Sequence, residues 1–487
     1  MIKKVNIIFT LVLIINISLF SSEIDEPIIW TFKTNAKIMS HPIIEGNIIY
    51  FGSMDSVFYA VDNKTGIQLW NYKTSSPVQS KALINNDIVY FKSGNNVFAL
   101  NKNSGQEIWR SISEDKEGVG KIDLWDYHSG SAAIYKSNIY FGFGNGKLLG
   151  FDLQSGEIKH EIKRESDSPI KSGLVIEDSV IYFGDWDGWV NAFNIETNKF
   201  VWKHKTYKKQ LYSTFGQINT QLSIYNDLLF FGGRNPEMQV LNKKTGEVQW
   251  TYIEKEGGWI SGDPLVMSDT LYIGGSDNHE MFAFNANTGE KYWTYEFLNN
   301  NFSQALAYNN YLLFATGDAY NVYGKSPGKG YVYALNRGDG SIVNFTKVGG
   351  NIYSTLIEKN GVLYLAGADG YLYALDLNEF LNEEPKLKTK GYNSIDITGI
   401  SPSPFKSSTK ITYNVNYNAK VNIRIIDLNE EEIVSLGFGN KAKGEHITSW
   451  DGKDNKGNIV PDGYYFAELS SGIYFKKVII QKQRADR

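Results

Sequence analysis

The chain has no cysteine. That rules out disulfides, thiol nucleophiles, cysteine-held iron–sulfur clusters, covalent haem attachment and an acyl anchor on a cysteine of this sequence. Histidines are few, at 41, 128, 160, 204, 279 and 446, and none has the close spacing of a zinc site, so no metal is expected. An excess of one charge is also missing: 49 Lys and Arg stand against 53 Asp and Glu, interspersed, for a net −4. Without a basic arm or patch, nucleic acid is not an expected partner. Beyond residue 22 no apolar run is long enough to cross a bilayer, so no transmembrane segment is expected in the mature chain.

What is present is aromatic and β-branched. Phe, Trp and Tyr make up 14% of 487 residues, which favours strands over helices. The length suits one large repeat domain plus a smaller module. Residues 1–22 have the pattern of a signal peptide: Lys3 and Lys4, an apolar run over 7–20, then Ser21 and Ser22.

A short motif recurs in register. "DNKTG" at 62 is followed by "NKNSG" at 101, "DLQSG" at 152, "NIETN" at 194, "NKKTG" at 242, "NANTG" at 285 and "NRGDG" at 336. A truncated "DLNEF" follows at 376. The mean spacing of about 45 residues, with strand-like flanks, signals a β-propeller. In each copy two apolar strands precede the motif, an Asx residue and a Gly form the turn, and an aromatic-ended outer strand follows. Trp70, Trp109, Trp202, Trp250 and Trp293 end these outer strands, while His160 and Asn344 hold the position in the third and seventh copies. The eighth copy lacks an outer strand after Asp376, and "PIIWTFKT" around Trp30 is a spare. The expectation is an eight-bladed propeller closed by this N-terminal strand.

"YAVDNKTGIQLW", "FAFNANTGEKYW" and "YLYALDLN" resemble the repeats of the pyrroloquinoline-quinone-type propeller family over roughly residues 28–380. That family includes quinoprotein dehydrogenases and non-enzymatic envelope scaffolds. The resemblance implies that Trp30, Trp70, Trp109, Trp202, Trp250 and Trp293 dock blade to blade. It also raises the question of a quinone site. Dehydrogenases of the family use calcium, acidic ligands, a catalytic aspartate and often a cysteine pair. This chain has no cysteine and its blades lack long pocket-building insertions. Asp187, Asp277 and Asp318 are candidate bases that nothing in the sequence pairs. No catalytic residue, cofactor or enzymatic activity is therefore expected.

Departures from the repeat fall on one face. Insertions follow Trp109, Trp202 and Trp250, and one splits the seventh blade. Loops on a rigid scaffold carry function, so the expected binding residues are Trp125, Tyr127, His128, Trp186, Arg234, Trp259, His279 and Tyr320. Trp186 and Trp259 suit equally a second role, plugging the axial channel or sealing gaps between blades.

After a linker at 381–392 the pattern changes to short alternating strands, which predict an immunoglobulin-like sandwich over 393–487. "SPSPFKSSTKITYNV", "WDGKDNKGNIVPDGYYFAEL" and "KKVIIQK" resemble the C-terminal sorting domains of type IX secretion cargo, a fold shared with the flagellar hook-capping protein. The turn at Asp454, Asn455 and Gly457 lacks the ligand alternation of a calcium loop. The sequence thus predicts an exported, non-catalytic propeller over 23–380, secreted or at the cell surface. It would bind a protein or glycan and use type IX secretion machinery. A periplasmic scaffold like the propeller of outer-membrane β-barrel assembly is the alternative, and a quinoprotein dehydrogenase a third reading.

Overall fold

Each repeat folds as a four-stranded antiparallel meander. In the first blade the strands are Ile43–Glu45, Ile48–Gly52, Val57–Asp62 and Gln68–Lys73. The second and third strands are almost wholly buried because neighbouring blades cover both faces, whereas the outermost buries only Trp70. At the turn, Asp62 Oδ1 accepts the backbone N–H groups of Lys64 and Thr65 at 3.0 and 2.9 Å. Gly66 then takes a φ of +70°, which glycine adopts without strain.

A computed structural model describes residues 28–112, 130–206, 216–254, 258–276, 278–318, 328–382, 395–415, 419–429, 431–471 and 474–483. The signal segment predicted at 1–22 lies outside them. Among the described residues eight such four-stranded sheets form the propeller. The last combines Ile357–Lys359, Val362–Ala366 and Tyr371–Asp376 with the N-terminal strand Ile28–Lys33. Thr31 pairs with Tyr373 and Lys33 with Tyr371, so the ring closes as the spare strand predicted. Closure gives the last blade its fourth, outermost strand and leaves Tyr371–Asp376 paired on both sides.

Tryptophan staples join successive blades. The Nε1–H of Trp70 donates to Lys102 O of the next blade at 3.0 Å. Trp30, Trp109, Trp202, Trp250 and Trp293 donate in the same way to Asn63, Leu153, Lys243, Ala286 and Arg337 carbonyls at 2.9–3.1 Å. The cores they cap span two blades each; Phe58 of the first stacks on Phe91 of the second at 4.0 Å. In the seventh blade Asn344 Nδ2 donates to Phe380 O at 2.6 Å instead. Phe380 lies on the helix Leu377–Asn382, which begins where the repeat breaks off and runs into the first residues of the expected linker.

The C-terminal module is a sandwich. One sheet holds Ile395–Ser401, Thr409–Val415 and Gly444–Trp450. The other holds Glu432–Lys441, Ala419–Ile426, Gly463–Ser471 and Tyr474–Lys482. Trp450 fills its centre, with Phe405 and Tyr465 rings at 5.3 and 5.1 Å.

Candidate functional site at the axial mouth

In five of the eight blades a hydroxyl latch aims the next residue at the axis. Ser40 Oγ donates to Gly52 O and accepts from Gly52 N, both at 2.8 Å, pinning the chain just before the innermost strand to the end of the second. Ser80, Ser172, Thr220 and Ser354 repeat this latch to Lys92, Gly184, Gly232 and Ala366. The residue after each latch, and its equivalents, converge on one cavity: His41, Lys81, Ser131, Gly173, Gln221, Asp263, Gln304 and Thr355. These positions precede the innermost strands, so the cavity opens on the face of the blade-to-blade connections, where the long insertions begin.

The ring is polar and asymmetric. Lys81 belongs to the second blade and Asp263 to the sixth, four blades away and so across the axis. Asp263 is almost fully buried, and desolvation pushes its carboxyl up to about 6 despite the Gln221 N–H at 2.7 Å and the charge of Lys81. Burial lowers Lys81 in turn, with Asp263 opposing. His41 accepts the Thr355 N–H at Nδ1, 3.0 Å away, and burial with nearby Lys81 drives its pKa to about 3, so the imidazole is neutral. Gln221 reaches past the fourth blade to Ser131 Oγ, and Gly173 makes room: a Cβ there would fall 1.8 Å from Gln221 Oε1. Asn219 Oδ1 is buried beside the cavity with no hydrogen-bond partner.

The cavity has about 20 Å³ of room, enough for one or two water molecules. A multi-ring quinone does not fit that space. Among the described residues no three His, Asp or Glu side chains cluster to hold a metal. The described mouth therefore does not fit a quinone–calcium pair. It can instead grip polar groups, with donors at Lys81 and His41 and an acceptor at Asp263.

The rim residues predicted from sequence divide. Trp125, Tyr127, His128 and Tyr320 lie outside the described residues, as does Asp277. Arg234, named among the rim binding residues, is buried at 0% exposure, and Trp186 at 7%, in keeping with its second role as a seal. The Arg234 guanidinium sits 5.7 Å from the Trp186 ring and 5.6 Å from the Trp259 ring, and Lys171 caps Trp186 at 4.9 Å. This alternating cation–aromatic stack seals the wall beside the axis. Trp259 and His279 are half-buried. The bases that nothing in the sequence paired have partners: Asp187 accepts from Ser166 Oγ at 2.8 Å, and Asp318 meets Lys477 Nζ at 3.2 Å. The axial ring itself was missed, because its eight positions share no side chain. The signal was the hydroxyl residue that precedes most of them.

Fold and mouth together define an eight-bladed, quinoprotein-like β-propeller with an appended immunoglobulin-like sandwich. The family model described as outer membrane protein assembly factor BamB matches residues 23–204 and 186–307, more than half of the chain. The chain belongs to that family. A second model, the FlgD Ig-like domain, matches residues 400–472, so the module found there is the hook-capping type.

Among curated relatives, the outer membrane protein assembly factor BamB of Legionella pneumophila is 27% identical over 135 residues, 25% of this chain and 32% of that protein. The quinoprotein alcohol dehydrogenase PedH of Pseudomonas putida is 30% identical over 104 residues, 20% of this chain and 18% of the enzyme. The chain thus spans a third or less of each relative's length. Quinohemoprotein alcohol dehydrogenase from Comamonas testosteroni superposes with a TM-score of 0.57 at 12% identity, covering 76% of this chain and 79% of the enzyme. That likeness is one of fold.

Proposed function

We propose that this chain is a non-enzymatic scaffold of the cell envelope whose loop-rich face holds a protein partner within an assembly complex. The observation that carries this reading is family membership over residues 23–307. The geometry supports it. A closed ring of stapled blades is rigid, and its axial mouth presents different polar side chains from successive blades, which suits recognition of another protein's surface. The small axial cavity supports the non-enzymatic reading. The C-terminal module is taken as a resident part of the scaffold, in place of the removable type IX signal expected from sequence, because Lys477 of its last strand pairs with Asp318 of the propeller. An envelope location, periplasmic or at the outer membrane, accordingly replaces display at the cell surface.

Photo-crosslinking amino acids at Ser131 and Gln304 on the mouth, and at Lys64 and Lys244 on the opposite turn face, test this in the native host. Products with outer-membrane assembly proteins are expected from the first pair alone. Products only from the turn face would overturn the assignment of the face. Dye-linked alcohol oxidation after adding pyrroloquinoline quinone and calcium would overturn the non-enzymatic reading.

A further inference from the structure

The contact between the two modules has the character of a built seat. Lys477 lies on Tyr474–Lys482 of the sandwich, and its Nζ is 3.2 Å from Asp318 Oδ2, just past the Tyr311–Thr316 strand of the seventh blade. The two side chains are only 11% and 8% exposed. Exposed ion pairs are common and weak; this one is largely shielded from solvent. The propeller side is rigid, since Asp318 N–H donates to Asn351 Oδ1 at 3.0 Å and its carbonyl accepts Tyr353 O–H at 2.6 Å. On the sandwich side Lys477 stands 3.7 Å from Glu468, which accepts Arg424 Nε at 2.7 Å. Charges therefore alternate along Arg424, Glu468, Lys477 and Asp318.

A second blade lies within electrostatic reach of the seat. His279, at the loop between Thr270–Gly274 and Glu280–Asn285 of the sixth blade, is desolvated and feels Lys476 and Lys477, which together drive its pKa to about 3. Both Asp318 and His279 lie on second-to-third strand loops, the same face as the axial mouth.

We infer that the C-terminal sandwich is an intramolecular cap, seated through Lys477 and Asp318 on the sixth- and seventh-blade sector of the loop-rich face, and able to leave it. Departure is cheap for a physical reason. A desolvated ion pair gains little over two hydrated charges, and Lys477 retains Glu468 when Asp318 is released. With no cysteine, no disulfide locks the seat. Twelve residues separate Asn382 from Ile395, a reach of up to about 40 Å. The partner that would exploit an uncapped face rests on the function proposed above; the cap itself does not.

The absence of native cysteine makes the test clean. In the full chain, His279→Cys with Lys476→Cys leaves Lys477 and Asp318 intact and supplies the only two thiols. A short bis-maleimide should join them within one chain in good yield. The pair His279→Cys with Ile447→Cys, whose second site is exposed on the other sheet, should not react so. Adding Asp318→Lys places like charges face to face and should lower the crosslink at least about tenfold. Small-angle scattering should show the Asp318→Lys chain expanding. Equal yields from the two cysteine pairs would overturn the seat. An undiminished yield with Asp318→Lys and an unchanged radius of gyration would overturn the role of the ion pair. Neither readout involves a partner, so failure of the proposed scaffold function would leave both as they are.

Discussion

Trp70 lies across Gly105 of the following blade, so closely that a Cβ built on Gly105 would fall 2.5 Å from the indole Cε3. The same approach recurs between Trp30 and Gly66, Trp109 and Gly156, Trp202 and Gly246, Trp250 and Gly289, and Trp293 and Gly340. Where His160 replaces the tryptophan, the facing turn of the next blade has Asn198 at φ 55° in place of glycine. The repeated motif is thus half of a joint whose other half lies one blade back.

Gly105→Ala therefore should cost more than its backbone conformation alone explains. Gly46 supplies the control: its φ is +58°, close to the +70° of Gly105, and nothing lies within 4 Å of its Cβ position. Gly46→Ala is expected to cost about 1–2 kcal/mol, the price of a left-handed alanine. Gly105→Ala should exceed it by at least about 1 kcal/mol through displacement of the indole. Chemical denaturation of the two variants decides; equal losses would mean the joint has slack.

Removing the Ile28–Lys33 strand should make the ring associate more than the parent chain does. Its absence bares the Tyr371–Asp376 edge, a row of unpaired backbone groups. Light scattering after size-exclusion chromatography should show concentration-dependent oligomers. A monomeric truncated chain would count against the closure argument.

Asp263 makes stability depend on pH with an unusual sign. Its folded pKa is raised from 3.8 to about 6, so the native state binds the proton more tightly than the unfolded state. The stabilisation is full below about pH 4 and lost as pH rises through about 6. Relative to Asp263→Asn, the parent chain should lose up to about 3 kcal/mol across that window, then run parallel to the variant. Unfolding curves of both chains at half-unit pH steps test this. A constant difference from pH 4 to 7 would show that the carboxyl is not desolvated.

Arg164 and Asp185 form the most deeply buried ion pair described, at 2.6 Å with side chains 4% and 1% exposed. Arg164 also donates to Gly146 O and Ser168 O at 3.1 and 3.0 Å, tying the third blade to the fourth. Arg164→Met strands a buried carboxylate and should cost about 3–5 kcal/mol. Adding Asp185→Leu removes the stranded charge and should recover part of the loss. A single variant within about 1 kcal/mol of the parent would place water in the site.

Much of the propeller was legible because its physics repeats. The Asx–Gly turns, the strand periods, the tryptophans and the spare strand at Trp30 each appear several times or complete a pattern. The axial ring was opaque for the opposite reason. His41, Lys81, Gly173 and Asp263 have nothing in common as side chains; only the latch before most of them repeats, and serine is unremarkable in a loop. Arg234 was misjudged because charge argues for solvent, whereas two indoles from neighbouring segments enclose its guanidinium. The Lys477–Asp318 contact joins segments with unrelated patterns, so no local rule points to it.

Strand closure also sets an order of events. Thr34 Oγ donates to Gly370 O across 336 residues of sequence, beside the pairing of Ile28–Lys33 with Tyr371–Asp376. Contacts that distant form late, since the loop they close must first be paid for in entropy. A chain emerging from its N-terminus can stack blades one after another, yet its first strand waits for the last. Until then the molecule is an open arc with two adhesive ends, and the interval before they meet is when it is most exposed to proteases, chaperones and its own copies.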